Sequence, residues 1–498
     1  MKKILVANRG EIALRIMRSV KEMGIQTVAI YSEADRNSPH VLYADEAVCV
    51  GPPPSAKSYL LGDKIIEICL ELGVDGIHPG FGFLSENAEF TRKVTDAGIT
   101  FIGPSPKAME TMGSKLAAKA AVSAYDIPLV PGTDQAIDDV DEAIEFAKGI
   151  GFPILIKASA GGGGKGMRIV EKVEDFKEQM DMAVGEAVSS FGDGAVFIEK
   201  YIASPRHIEI QILGDQHGNI IHLLERECSI QRRHQKVIEE APAVIMTPAL
   251  RKAMGESAVD VARSCDYKGA GTVEFLLDEN HKYYFLEMNT RLQVEHPITE
   301  MITGIDIVKE QIKIARGEKL TIKQEEVVPR GHAIELRIYA EDPTNNFLPD
   351  IGKLQTYRSP QATGVRVDDG FREGMDIPIY YDPMIAKLVV HAADRSLAID
   401  KMKQAIRDYQ IVGVETTLDF GHWVMEHPAF VSGDLDTHFI QKYFKPEMLK
   451  KEEIMEDEAA IAAALAVDFL EKHKTSTSNS TNNNGVVSST WHKNRTMR

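Results

Sequence analysis

The sequence predicts a mixed α/β and α+β protein: an N-terminal doubly wound (Rossmann-like) domain, a small mobile lid, and a C-terminal β-rich domain. Three observations carry this. Short apolar runs alternate with helical patterns over residues 1–113, which is the rhythm of βαβ units and a parallel sheet. A run of four glycines sits between two strand patterns near residue 160. From about residue 203 onward, paired apolar strands separated by turn residues dominate.

In the first segment, Ile4–Ala7, Thr27–Tyr31, Ala47–Val50, Gly76–His78 and Thr100–Ile102 read as buried strands. Leu14–Met23, Asp63–Leu72 and Asn87–Ala97 read as the helices between them. The βαβ pattern also fits a dinucleotide-binding oxidoreductase, but no glycine fingerprint follows the first strand, where Asn8-Arg9-Gly10 stands. A second segment, 114–330, begins with the lid, about 130–202. Here Pro153–Lys157 and Ala195–Glu199 are strands, and Met167 opens a returning strand. Beyond it, His207–Leu213 pairs with Ile220–Glu225, and Gly271–Leu277 with Tyr283–Met288. A third segment, 331–445, is β-rich and ends in the helix Leu397–Tyr409. The last part, 446–498, is expected to be a helical extension over Lys450–Lys474 followed by a disordered Ser/Thr/Asn tail.

Composition narrows the function. The chain has 498 residues, 44% hydrophobic and 26% charged, with a formal net charge of -17. That acidity argues against nucleic-acid binding. No apolar stretch reaches the length of a membrane span, and the charged N-terminus does not read as a signal peptide. The four cysteines are scattered, which suits reduced thiols and a cytoplasmic location.

Two patterns carry chemistry. The loop Ala158–Met167 lets backbone amides face a ligand without side chains in the way. Lys157 and Lys165 flank Gly161–Gly164 and add positive charge, so the loop, with Gly162, Gly163, Gly164, Gly166 and Met167, is expected to wrap the phosphates of ATP. Lys115 is a further phosphate candidate. The second pattern is a hairpin. With Glu279–Lys282 as a four-residue turn, Glu274 falls opposite Glu287 and Phe275 opposite Leu286. Facing carboxylates repel unless a cation lies between them. Asn289 shares their face, so the three offer hard oxygen donors suited to Mg²⁺ (or Mn²⁺) bridging ATP phosphates. If the chain stays extended, Arg291, Gln293 and Glu295 continue that face. They are expected to hold a small oxyanion such as bicarbonate, with Glu295 taking its proton. His207, Glu209 and Gln211 alternate along one strand, and Glu225–Lys236 is dense in polar groups. Both are expected to line a surface for ribose and phosphate.

At these residues the sequence resembles the biotin carboxylase family of the ATP-grasp ligases. The matching runs are Asn8-Arg9-Gly10-Glu11-Ile12-Ala13, His78 through Asn87, Lys157 through Met167, Gln231 through Lys236, and Glu287 through His296. They span about residues 1–445. The resemblance implies an ATP-grasp fold. It implies that Lys115, Lys157, His207, Gln231 and His234 contact ATP, and that Glu199, Lys200 and Ile202 lie at the adenine. Glu274, Glu287 and Asn289 would hold the metal. Lys236, Arg291, Gln293 and Val294 (through its backbone) would bind bicarbonate, with Glu295 as base, and Arg337 would stabilise the ureido oxygen of biotin. The implied activity is ATP-dependent carboxylation of biotin through carboxyphosphate, the first half-reaction of an acetyl-CoA, propionyl-CoA or pyruvate carboxylase. A homodimer is implied too. No Ala-Met-Lys-Met-type segment occurs, so the expected partners are a separate biotin carboxyl carrier protein and a carboxyltransferase subunit. Pro383 and Ala386 depart from the family's usual Ser and Gly, which bears on local loop shape.

Overall fold

The strand Lys3–Val6 lies at the centre of a five-stranded parallel sheet, flanked by Gln26–Ser32 and Gly76–His78, with Glu46–Gly51 and Thr100–Phe101 at the edges. Its residues Ile4, Leu5 and Val6 are fully buried, as a strand covered on both faces requires. The computed structural model describes residues 1–133, 135–137, 139–158, 167–191, 194–449, 461 and 463–469. Helices Gly10–Glu22, Gly62–Leu72 and Ala88–Asp96 follow the expected βαβ order. Asn87 caps the third by accepting the Phe90 N–H at 2.8 Å.

The lid region forms a separate three-stranded antiparallel sheet, with Ile154–Ala158 between Met167–Val170 and Val196–Lys200. Helices Val140–Ile150 and Phe176–Phe191 accompany it. Its apolar cluster, which includes Ala147, Ile154, Ile156, Phe176, Met180 and Ile198, is its own.

An eight-stranded sheet positions the site. Its order is Tyr283–Asn289, Gly269–Leu277, Arg206–Gly214, Ile220–Arg232, Gln235–Ala241, His332–Tyr339, Met384–Ala392, Val365–Asp369. One sheet therefore takes strands from both sides of residue 330. One set of its side chains packs apolar against the helix Pro248–Ser264, through Ile208, Ile210, Val273 and Phe275 against Met254, Ala258 and Val261. The helix expected over Leu397–Tyr409 runs Arg395–Asp408.

The hairpin reached the expected pairing by a different route. Its tip is closed by Asp278 and Lys282 (N–H to O, 2.8 Å), with His281 at φ 60. Leu277 then faces Tyr283 and Phe275 faces Phe285, not Leu286. A bulge between Glu274 and Phe275 absorbs Leu286 and restores Glu274 opposite Glu287. The shorter tip and the bulge each shift the register by one residue, and the shifts cancel.

Residues 1–446 form one unit. In the second, Ile461 and residues 463–469 are helical and exposed. The remainder of the expected extension and the Ser/Thr/Asn tail lie outside the described residues. Among the described residues no helix is long and apolar enough to cross a membrane.

His78 shows what the N-terminal sheet demands. It ends the strand Gly76–His78, fully buried, and its Nδ1 accepts the Gly80 N–H at 3.1 Å. Burial, reinforced by the Arg15 charge, pushes the imidazole down to about 3. A lowered folded pKa means that its contribution is complete above the unfolded value of about 6.5 and is lost as pH falls toward the folded one. Between pH 7 and 5, the wild type should lose about 2 kcal/mol relative to His78→Gln. Urea unfolding of both proteins at the two pH values measures this, and parallel pH profiles would count against it.

Candidate active site

The sheet carries a second, charged face. Glu287, Glu274, Glu209 and Arg226 stand in register across four neighbouring strands. Further along, Glu239 faces Glu335, and Arg337 faces Lys387. Of these, all but Glu287 are buried. Water cannot solvate so many charges there, so they must satisfy one another.

Lys236 is the meeting point. Its ammonium donates to Glu209 Oε2 (2.5 Å), Glu274 Oε1 (2.9 Å) and Glu295 Oε1 (2.7 Å). The three carboxylates hold it well above the usual ammonium range. Arg337 takes the other side of Glu295: it donates to Glu239 Oε1 (2.6 Å) and to Glu295 Oε2 (3.0 Å). Although burial alone would raise it, Glu295 is held well below the usual carboxylate range by Lys236, Arg337 and Arg226. One carboxylate thus links the residue expected at bicarbonate to the residue expected at biotin.

Glu274 is equally crowded. Its Oε1 accepts from Asn289 Nδ2 (3.0 Å) and Gln293 Nε2 (2.9 Å) as well as Lys236, and His207 Nε2 lies 3.0 Å from Oε2. His207, Glu209 and Glu274 offer ligand atoms all within 4.8 Å of one another. Glu287 is directly across from Glu274 by register but exposed. The donor set is oxygen-rich and already holds a cation, the Lys236 ammonium, so its chemistry suits a hard divalent ion.

The segment after Asn289 is not extended, contrary to the sequence expectation. The strand stops at Asn289, and Glu295 has φ -80 and ψ 10 just before the helix His296–Thr303. Gln293 and Glu295 reach the charged face because the loop folds over it. Arg291 turns aside: its Nη2 donates to Asn289 Oδ1 (3.0 Å) and its Nε to Glu86 Oε2 (3.1 Å). Glu86 also accepts the Thr290 N–H at 3.0 Å.

The residues expected around ATP form other groups. Lys157 pairs with Glu199 between neighbouring lid strands, and Lys119 joins Glu199 at 2.7 Å. Lys200 donates to the Gly151 and Phe152 carbonyls (2.8 and 3.1 Å), and Ile202 is half-buried just past that strand. Gln231 is buried and donates to the Cys228 carbonyl at 2.8 Å, whereas His234 is exposed in a tight turn with φ 67. Met167 opens its strand, half-buried. Lys115 begins the helix Lys115–Ser123, and its side chain lies outside the described residues, as do Gly162, Gly163, Gly164, Lys165 and Gly166.

The expected ligand surface needs correcting at Glu209, Gln211 and Arg226, which are turned into the interior. Arg226 is fully buried and binds Glu209, Gln211 Oε1 (2.8 Å), Thr299 Oγ1 (2.9 Å), Thr272 Oγ1 (3.1 Å) and Gln293 Oε1 (3.0 Å). Those polar groups are interior supports. Cys228 is also buried, and burial pushes its thiol well up, away from nucleophilic use. Glu239 and Lys119 escaped the sequence reading, while Arg226 and Glu86 entered it only within the runs Glu225–Lys236 and His78–Asn87. Only the run of three charges Glu225-Arg226-Glu227 after the apolar start of the strand hinted at Arg226.

Comparison with known proteins identifies the family. Three family models match in succession: "Biotin carboxylase, N-terminal domain" over residues 1–109, "Carbamoyl-phosphate synthase L chain, ATP binding domain" over 114–323, and "Biotin carboxylase C-terminal domain" over 335–442. The chain is 52% identical over 443 residues to the biotin carboxylase of Nostoc, spanning 89% of this chain and 99% of that one. It is 50% identical over 472 residues to a pyruvate carboxylase subunit from Methanothermobacter thermautotrophicus, spanning 95% and 96%. A similar fold occurs in the biotin carboxylase domain dimer of Hydrogenobacter thermophilus 2-oxoglutarate carboxylase, solved with MgADP, ADP and bicarbonate. The TM-score is 0.85 at 48% identity, over 91% of this chain and 99% of that one.

Removing Arg226 leaves Glu209 buried beside other carboxylates and four neutral acceptors without their donor. Arg226→Ala should lower the unfolding free energy by about 3–5 kcal/mol, as expected for breaking a buried ion pair. Denaturant unfolding would measure it, and a loss below about 1 kcal/mol would place the hub's importance elsewhere.

Proposed function

Because the chain belongs to the biotin carboxylase family of ATP-grasp ligases, we propose that it carboxylates biotin on a separate carrier protein, using ATP and bicarbonate through carboxyphosphate. The observation that carries this reading is the Glu295 carboxylate, held at once by Lys236 and Arg337. It joins the two half-sites that such a reaction must bring together.

In this reading Lys236, Arg291, Gln293 and the Val294 backbone hold bicarbonate. Glu295 takes its proton, the resulting oxyanion attacks the γ-phosphate, and ADP leaves. The carboxyphosphate then yields CO₂ and phosphate, and phosphate removes the N1′ proton of biotin. Arg337 balances the charge that develops on the ureido oxygen, and the nitrogen attacks CO₂. The low pKa of Glu295 keeps it ionised at any working pH, as a base requires. Its basicity rises as substrates arrive. Bicarbonate drawing on Lys236, and biotin drawing on Arg337, both loosen the hold of those cations on Glu295.

Glu274, Glu287 and Asn289 would hold Mg²⁺ or Mn²⁺, which supplies charge neutralisation at the ATP phosphates. On the nucleotide side, Lys115, Lys157, Lys165, His207 and the loop Gly162–Met167 would hold phosphates, Gln231 and His234 would contact ATP further along, and Glu199, Lys200 and Ile202 would contact the adenine. A cytoplasmic homodimer working with a biotin carboxyl carrier protein and a carboxyltransferase subunit completes the proposal.

The final acceptor is set outside this half-reaction. Relatives at 48–50% identity bear the names of pyruvate, propionyl-CoA, methylcrotonoyl-CoA and 2-oxoglutarate carboxylases. Acetyl-CoA, propionyl-CoA and pyruvate are the acceptors to assay with a cognate carboxyltransferase.

ATP cleavage should depend on bicarbonate and rise when free biotin is added. Failure of biotin to stimulate ADP release would overturn the reading in favour of another bicarbonate-using ligase. Glu295→Gln should cut turnover by about 10²–10⁴-fold while ATP binding, read by calorimetry, persists. Undiminished turnover would remove Glu295 from the role of base.

A further inference from the structure

Two motifs that the reaction leaves unused, Asn8–Ala13 and Tyr380–Lys387, meet behind the loop Thr290–Glu295. Lys387 is fully buried on the strand Met384–Ala392, in register with Arg337 on one side and Asp368 on the other. Its ammonium donates to the Val294 carbonyl at 2.9 Å. Glu11 Oε2 lies 3.1 Å away, and Asp368 Oδ2 lies 3.9 Å away. Asp368 is itself paired with Arg366 (3.0 and 2.7 Å), and Arg366 with Glu300 at 2.8 Å.

We propose that Lys387, held by Glu11, is a positioning residue for bicarbonate: it fixes the Val294–Glu295 peptide from behind. This rests on the reading of Val294 and Glu295 given above. A trans peptide points its C=O and N–H in opposite directions. Binding the Val294 carbonyl to Lys387 therefore sets the direction of the Glu295 N–H and the starting point of the Glu295 side chain. A buried ammonium needs a counter-charge to stay in place. Glu11, the first-turn acid of the helix Gly10–Glu22, provides it from the N-terminal domain. Burial raises the Glu11 carboxyl to about 7 against the pull of Lys387, and Asp368, kept ionised by Arg366 and Lys387, is the second carboxylate beside the ammonium. The other end of the loop is held separately, by Glu86 on the Thr290 N–H and the Arg291 guanidinium. The N-terminal domain thus braces the loop at both ends, and neither brace depends on Lys236.

The test compares steady-state constants of the full-length wild type with those of the double variant Lys387→Met/Glu11→Gln. The double variant removes the ammonium together with the charge of its nearest carboxylate, while Asp368 keeps its pair with Arg366. Its KM for bicarbonate should rise by at least about tenfold, the size of one lost hydrogen bond or more. Its KM for ATP should stay within about twofold, because the nucleotide residues lie on other strands. Should the double variant not fold, Lys387→Arg serves: it keeps the charge but moves the donor, and the same split between the two KM values is expected. An unchanged bicarbonate KM, or both KM values rising together, would overturn the proposal. Absence of biotin-stimulated ATP cleavage in the wild type would instead overturn the functional reading itself.

Discussion

The site depends on one ammonium group shared by three carboxylates. Lys236 bonds Glu209, Glu274 and Glu295, which come from two separate strands and a loop. Without it, three like charges would face each other in a poorly solvated space. Ion pairs of this kind contribute little net stability, because desolvation offsets most of the attraction. They do fix geometry, because any arrangement that separates the partners leaves a bare charge behind. The remaining cations, Arg226, Arg337 and Lys387, repeat the rule. Each sits among acids that could not be buried alone, and each ties the sheet to a different neighbour.

The division of the eight-stranded sheet into an apolar and a charged face explains why the site is both rigid and reactive. The apolar face is fixed by ordinary packing against the helix Pro248–Ser264. The charged face carries the functional groups, and its buried partners such as Arg226 and Glu209 must stay paired for the fold to hold. Glu295 is the last residue of the loop, capping the helix His296–Thr303, two positions before Pro297. Helix and sheet therefore both fix its carboxylate, as the base role proposed for it would require.

Local patterns revealed the elements and part of the site. The parallel domain was legible because βαβ spacing needs only neighbouring segments. Glu274 opposite Glu287 was legible because a hairpin pairs residues a few positions apart, even though the tip and the bulge were misjudged. Arg226 was not legible, because its five partners lie on the strands Arg206–Gly214 and Gly269–Leu277, in the Thr290–Glu295 loop and on the helix beyond it. Polar density in Glu225–Lys236 was visible, but density alone does not tell a ligand surface from an interior support. Parity failed beyond Asn289 because it assumes an extended chain, and the loop departs from one. The roles of Lys236 and Arg337 came from resemblance; no spacing rule links strands that meet only through the sheet order.

The N-terminal domain shows how a familiar topology is put to another use. In a dinucleotide-binding domain the turn after the first strand is shaped for a pyrophosphate. Here that turn is filled by its own side chains. Asn8 donates to the Pro79 and Phe81 carbonyls, both at 2.7 Å, and Gly80 between them has φ +65 with no room for a Cβ beside the Asn8 amide. Arg9 is bidentate to Asp35 (2.6 and 2.7 Å) and stacks on Tyr381, 4.1 Å from the ring centre. These bonds close the turn to a ligand and fasten it to the Tyr380–Lys387 segment. The changes at Pro383 and Ala386 do not disturb that seam. The Pro383 carbonyl accepts the Ala340 N–H at 2.9 Å, and Ala386 is buried in register with Ile338 and Asp369. The turn that would grip a cofactor instead delivers Glu11 to Lys387, whose ammonium in turn holds the Val294 carbonyl of the Thr290–Glu295 loop.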